Sequence, residues 1–168
     1  PASSPDAVGD LRRARDTANE KARGTLGGDL WRPPPSDLAA EYRSLIGPLT
    51  DDCSALIGPV LILAKVFVDL MNLGLLKKSV QEVEENQLSL SILRSLLDSR
   101  GDTTDATKVL RDLYGVRSRG GVAHFSNSDS KRALANLGID GLPPIQAFDH
   151  IVRQVTEAVT SIGDLLAP

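Results

Sequence analysis

Cysteine is almost absent from the 168 residues: Cys53 stands alone, so no intrachain disulfide can form and no cysteine-rich zinc site can be built. Such usage suits a reducing cytosol, and no signal-peptide pattern is visible at the start, so the expected location is cytoplasmic. The first residue is Pro1 rather than Met, which fits a processed chain or a piece of a longer one. Histidine is nearly as scarce, with only His124 and His150 to move a proton through imidazole. Aromatics are 4% of the chain, which leaves the core to aliphatic side chains. There is no excess of positive charge either. Lys+Arg 19 against Asp+Glu 22 gives a net −3, which excludes a protein that coats nucleic acid through cations alone. The most apolar stretch, 55–76, carries Lys65 and Asp69 near its middle. Each costs on the order of 3 kcal/mol at a bilayer centre, so the stretch reads as a buried helix and no membrane partner is expected.

What remains is an ordinary globular composition, with 41% hydrophobic and 24% charged residues. The length fits one domain with a short arm, burying roughly 70% of the surface its unfolded chain exposes. The patterning is helical throughout, and no segment alternates as a strand would. Ser4-Pro5-Asp6 resembles a helix start, followed by Ala7, Leu11, Ala14, Ala18 and Ala22 at spacings of three and four, and Gly27-Gly28 ends the run. Pro33-Pro34-Pro35 is a stiff linker, and Trp31 before it reads as a loop anchor in preference to a polyproline ligand. Residues 1–35 are thus expected to form a helical arm and linker, and 36–168 a helical bundle. Ser36 is read as the cap of a short helix through about Ile46, and a long central one is expected over 59–76. Ser79-Val80-Gln81-Glu82 matches a capping box for a helix to about Ser99, with Leu88, Ile92, Leu93, Leu96 and Leu97 facing inward. The clearest stripe is the last, from Ile145 through Phe148, Val155 and Ile162 to Leu166. The expected fold is all-α, with helix 145–166 packed along the central helix.

One constellation carries chemistry. Ala106, Leu110, Leu113 and Arg117 are spaced four, three and four apart, so an apolar row on one helix face ends in a guanidinium. Gly120-Gly121 and then His124 follow. Over 108–132 the cations Lys108, Arg111, Arg117, Arg119, Lys131 and Arg132 face only Asp112 and Asp129, a local +4 (six minus two) that would attract phosphate. Read from composition alone, the same residues also fit a structural histidine, a common glycine exit and a solvated basic face.

The run Leu113-Tyr114-Gly115-Val116-Arg117-Ser118-Arg119-Gly120-Gly121-Val122-Ala123-His124 resembles the HEPN family (higher eukaryotes and prokaryotes nucleotide-binding). That family's pattern is an arginine and a histidine with four to six residues between them, the first usually small and polar, closing a core helix of an all-α bundle. Arg117 to His124 fits with six intervening residues; Arg119 to His124 would fit with four, but leaves the apolar row. The resemblance implies a HEPN-like bundle and a metal-independent endoribonuclease of the toxin–antitoxin or antiviral abortive-infection type. It further implies a homodimer whose two Arg-His pairs share one cleft. Catalysis would fall to Arg117, His124 and Ser118, and RNA contacts to Arg119, Tyr114, Lys131 and Arg132. No metal and no cofactor is expected; the partners would be RNA, a second copy, and an antitoxin or regulatory domain. The competing expectations are a catalytically silent module that binds RNA, nucleotide or protein in the same cleft, and an unrelated helical adaptor.

Overall fold

The computed structural model describes residues 6–84, 86–118, 132 and 134–168, and among them the fold is all-α. Helix α1 (Ala7–Leu26) begins at Asp6, whose carboxylate accepts the Gly9 N–H at 2.9 Å. This is where an acid meets the positive end of a helix. Asp6 therefore takes the capping role that the sequence pattern assigned to Ser4. Gly27 closes the helix with φ of 82°, a left-handed conformation costly for any residue with a Cβ.

The last helix, α7 (Pro144–Leu166), starts with a proline in its first turn and buries Phe148, Ile151, Val155, Val159, Ile162 and Leu166. Its main neighbour is α1. Ala7 and Asp10 share a shallow depression with Asp149 and Val152. Further along, Lys21 Nζ lies 2.6 Å from Asp164, and the Thr25 hydroxyl donates to the Leu166 carbonyl. Residue numbers rise together along both helices, so they run parallel. A Cβ added at Gly163 would come within 3.0 Å of Ala18 Cβ, so small residues on both sides allow this approach. The expected packing of 145–166 along 59–76 is thus corrected: α7 lies along α1 and makes little contact with α3. The small stripe of α1 admits a closer backbone than the bulky face of the central segment does.

That central segment is not one helix. A 3-10 turn (Cys53–Leu56), capped by Asp52, leads into α3 (Ile57–Ala64), a π turn (Lys65–Asp69) and, after a break, α4 (Leu73–Lys78). Pro59 falls in the first turn of α3, where its missing N–H costs nothing. The break at 70–72 has a tertiary cause. Arg32 N–H donates to the Leu70 carbonyl and Asn72 N–H to the Leu30 carbonyl, both at 2.8 Å, forming an antiparallel bridge between Trp31 and Met71. The Asn72 side chain then caps α4 by accepting the Leu75 N–H at 3.1 Å.

Trp31 is the anchor at this junction and has no exposed surface. Asn19 from α1 meets its peptide group twice at 2.9 Å, accepting the Trp31 N–H and donating to its carbonyl. The indole N–H donates at 2.9 Å to the Phe67 carbonyl. That carbonyl is available because Met71 N–H turns to Val68 instead. The indole also stands edge-on to the Phe67 ring, with centroids 5.9 Å apart, and Phe67 does the same to Tyr42 at 6.1 Å. The buried guanidinium of Arg15 donates to the Arg32 carbonyl at 2.8 Å, and burial lowers its pKa from the ordinary value. Burial likewise pushes the Tyr42 phenol up to about 12. Helix α2 (Ser36–Arg43) follows the prolines, with Pro35 rather than Ser36 at the capping position. Its last carbonyls, of Tyr42 and Arg43, accept from Arg12.

Helix α5 (Ser89–Ser99) starts ten residues later than the capping box indicated. The Ser79 hydroxyl is already used, donating to the Leu75 carbonyl at 2.8 Å to close α4. Ile92, Leu93, Leu96 and Leu97 are buried as expected, whereas Leu88 is 63% exposed. Helix α6 (Lys108–Ser118) packs against α3 and the π turn on one side and α7 on the other.

Replacing Asn19 with Leu would leave the Trp31 N–H buried and unpaired. The expected loss is about 2–3 kcal/mol of stability, or roughly 5–10 °C in Tm, read by calorimetry. A Tm within about 2 °C of the parent would show that the amide contact contributes little.

Candidate functional site

The site indicated by the sequence lies at the C-terminal end of α6. Ala106, Leu110 and Leu113 are all buried, with Val116 beside them, so the apolar row faces the core as its spacing requires. Arg117 and Ser118 are the last two residues of the helix. Arg117 takes the next slot of the row, in the last turn, where a cation is favoured by the helix dipole. Arg119, His124 and Lys131 lie outside the described residues. Arg132 is exposed and helical, and 134–136 are helical as well. Tyr114 is 38% exposed and lines a cleft with Arg32, Met71, Leu73 and Leu88.

The start of α6 shows that the local excess of charge is partly neutralised. Lys108 Nζ lies 2.8 Å from Asp112 on the same helix. Arg111 makes a two-pronged contact with Asp105, one arm at 2.9 Å, and donates to the Thr107 hydroxyl at 2.7 Å. Arg94 from α5 reaches the same carboxylate at 2.6 Å. Asp105 stands three residues before the window that gave +4, so counting along the chain missed it. Its backbone is left-handed, with φ of 55°, and it turns the chain into α6. The bond from Arg111 outweighs burial and holds the Asp105 carboxyl down to about 2. At Asp102, burial pulls the carboxyl up, but the N–H groups of Ala106 and Thr104 outweigh that and leave it below its ordinary value. Two of the six cations, Lys108 and Arg111, are therefore committed to carboxylates.

Among the described residues no group of His, Cys, Asp and Glu is arranged to hold a metal ion, and no helix is long and apolar enough to cross a membrane. Cys53 is exposed. A cavity of about 790 Å3 is lined by parts of 51–56 and 134–147, and no residue of α6 is among them. No family model matches the chain, and neither the curated proteins nor the solved structures contain a significant match to it.

Asp105 supplies a test of this end of α6. Its pKa is depressed on folding, so its contribution is complete above the ordinary carboxylate pKa of about 3.9 and is lost as pH falls toward 2. Its side chain is 23% exposed, so after allowance for solvent screening the contribution is about 1–2 kcal/mol. Asp105→Asn should lower Tm at pH 7 and flatten the fall in stability between roughly pH 5 and 2. Parallel pH profiles for variant and parent would contradict the ion-pair account.

Proposed function

We propose that the protein is a metal-independent endoribonuclease of the HEPN type, acting through Arg117 and His124 at a cleft between two copies. The observation that carries this reading is the buried pair Leu110 and Leu113 on α6, continued by buried Ala106 in the turn before it, which gives Arg117 the terminal slot of a core helix. The pairing of Lys108 and Arg111 with carboxylates agrees with it, because these two cations are not the ones to which the reading assigns the phosphate.

The chemistry balances without a metal. His124 accepts the proton of a ribose 2′-OH, the oxygen attacks the neighbouring phosphorus, and the bond to the 5′-oxygen breaks. A second imidazole, supplied by the other copy, returns a proton to that leaving oxygen. Arg117 holds the non-bridging oxygens and stabilises the charge that builds on them. Ser118 orients the phosphate by donating a hydrogen bond, and Arg119, Lys131 and Arg132 extend the contact to flanking phosphates. The biological role consistent with such an activity is a toxin or antiviral effector, held in check by an antitoxin or regulatory domain.

Labelled RNA incubated with the protein in EDTA should be cut, leaving a cyclic phosphate or 3′-phosphate. His124→Ala should slow cutting by about 10²–10⁴-fold with an unchanged melting curve. Arg117→Lys should also fail, because an ammonium cannot make a two-pronged phosphate contact. Cutting by His124→Ala at the parent rate, or loss of cutting in EDTA, would leave the silent binding module as the better reading. Light scattering at tens of micromolar should give a dimer; a monomer alone there would remove the shared cleft.

A further inference from the structure

We infer that the cleft beside Tyr114 is a seat for one unpaired nucleobase of single-stranded RNA. The identity of the ligand rests on the proposed function, whereas the cleft itself is a feature of the described fold. Three elements leave an apolar side chain uncovered around it. Leu73 opens α4 and is 39% exposed, Leu88 precedes α5, and Tyr114 lies on α6. Single exposed leucines are ordinary on a protein surface, but three large side chains from three elements around one hollow mark a binding site. The hollow measures about 290 Å3, and the nearly buried Val68 and Met71 also line it.

Its polar groups select among ligands. Arg32 stands at the hollow, fixed by its own backbone bond to the Leu70 carbonyl. Its guanidinium donates to the Asp69 carbonyl at 3.3 Å and carries further N–H groups. The Gln87 amide is already engaged, donating to Ser91 at 3.0 Å and accepting from the Glu84 N–H, so it acts as a wall. An aromatic face, aliphatic sides and a many-donor cation suit a flat heteroaromatic ring with carbonyl acceptors on an anionic backbone. A partner helix would need anchors over several turns, and a hollow of this size takes one ring.

Position links the cleft to the proposed chemistry. Tyr114 and Arg117 are three residues apart on one side of α6, about 4.5 Å along its axis. A base stacked on Tyr114 would bring its own phosphate to the level of Arg117 on the helix. The cleft would then set where along a strand the chain is cut.

The test uses a fluorescent single-stranded RNA of about ten nucleotides with 2′-fluoro sugars, which lacks the nucleophile and reports binding whether or not the protein cuts. Anisotropy should show Tyr114→Ala and Leu88→Asp each weakening binding on the order of tenfold, with Tyr114→Phe close to the parent. The matching duplex should bind less well than the single strand. Parent-like binding by Tyr114→Ala, or equal binding of duplex and single strand, would overturn the inference, as would no binding of the strand by the parent. A protein side chain would then be the occupant to seek. Cutting of ordinary RNA is followed in parallel. Cutting without Tyr114-dependent binding removes the base seat alone, while Tyr114-dependent binding without cutting keeps the seat and removes the nuclease reading.

Discussion

The side-chain amide of Asn19 completes the peptide group of Trp31, accepting its N–H and donating to its carbonyl as a neighbouring strand would. A buried backbone with no helix or sheet of its own needs such a partner, because an unpaired N–H in the interior costs about 1–3 kcal/mol. Once Trp31 is held, much else follows. The chain at 30–32 lies antiparallel to 70–72, which stops the central helix, releases Asn72 to cap α4 and sets Met71 under the cleft beside Tyr114. The indole takes the Phe67 carbonyl that the π turn leaves over. The arrangement also carries a cost. Arg12 Nε, Arg15 Nε and the Tyr42 hydroxyl are buried with no protein partner, all near the contact of α1 with α2. The apolar packing around Trp31, Phe67 and Tyr42 must offset them.

The second constraint is the close parallel contact of α1 with α7. Its partners lie more than a hundred residues apart in sequence, so forming the contact closes a long loop, at an entropic cost that tight packing must offset. Ala18 against Gly163 leaves no room for even one methyl group without a shift of backbone. Tight packing of this kind turns the N-terminal helix, which its thin stripe made look peripheral, into half of the most extensive helix pair in the described fold. The ion pair of Lys21 with Asp164 and the hydroxyl of Thr25 on Leu166 then fix the register at the far end.

These two features explain which parts of the structure the sequence made legible. Periodicity reports that a face is buried, and it did so for α6 and α7 and for most of the inner face of α5. It carries no information about which helix covers that face, so the partner of α7 was misassigned. The break at 70–72 is set by hydrogen bonds from residues some 40 positions earlier, and no local propensity records them. Ser79 matched a capping box because the motif is local, yet its hydroxyl had already been taken by the turn of α4 that precedes it. At the site, the row ending in Arg117 was readable because it lies within one helix. The counter-ion Asp105 was not, because it faces Arg111 across a turn and Arg94 across two helices. Arg32 and Leu88 could not be grouped with Tyr114 from the sequence for the same reason: only the Trp31 bridge and the late start of α5 bring them to one hollow.

Charge and rigidity meet on α6. Its first turn is tied down by Asp105, which gathers two guanidiniums, and its body is wedged between α3, the π turn and α7. A helix held at one end and along its length presents its other end at a fixed place, which is what recognition of a phosphate or a base requires of its scaffold. Lys108 and Arg111, the two cations in the first turn, are paired with Asp112 and Asp105, so under the proposed function an anion would be drawn toward the last turn rather than spread along the helix. The negative end of the helix dipole opposes that attraction at short range. Cations placed at and beyond the last turn must therefore overcome it, which gives a physical reason for Arg117, Arg119, Lys131 and Arg132 to cluster in the sequence after the apolar row rather than within it.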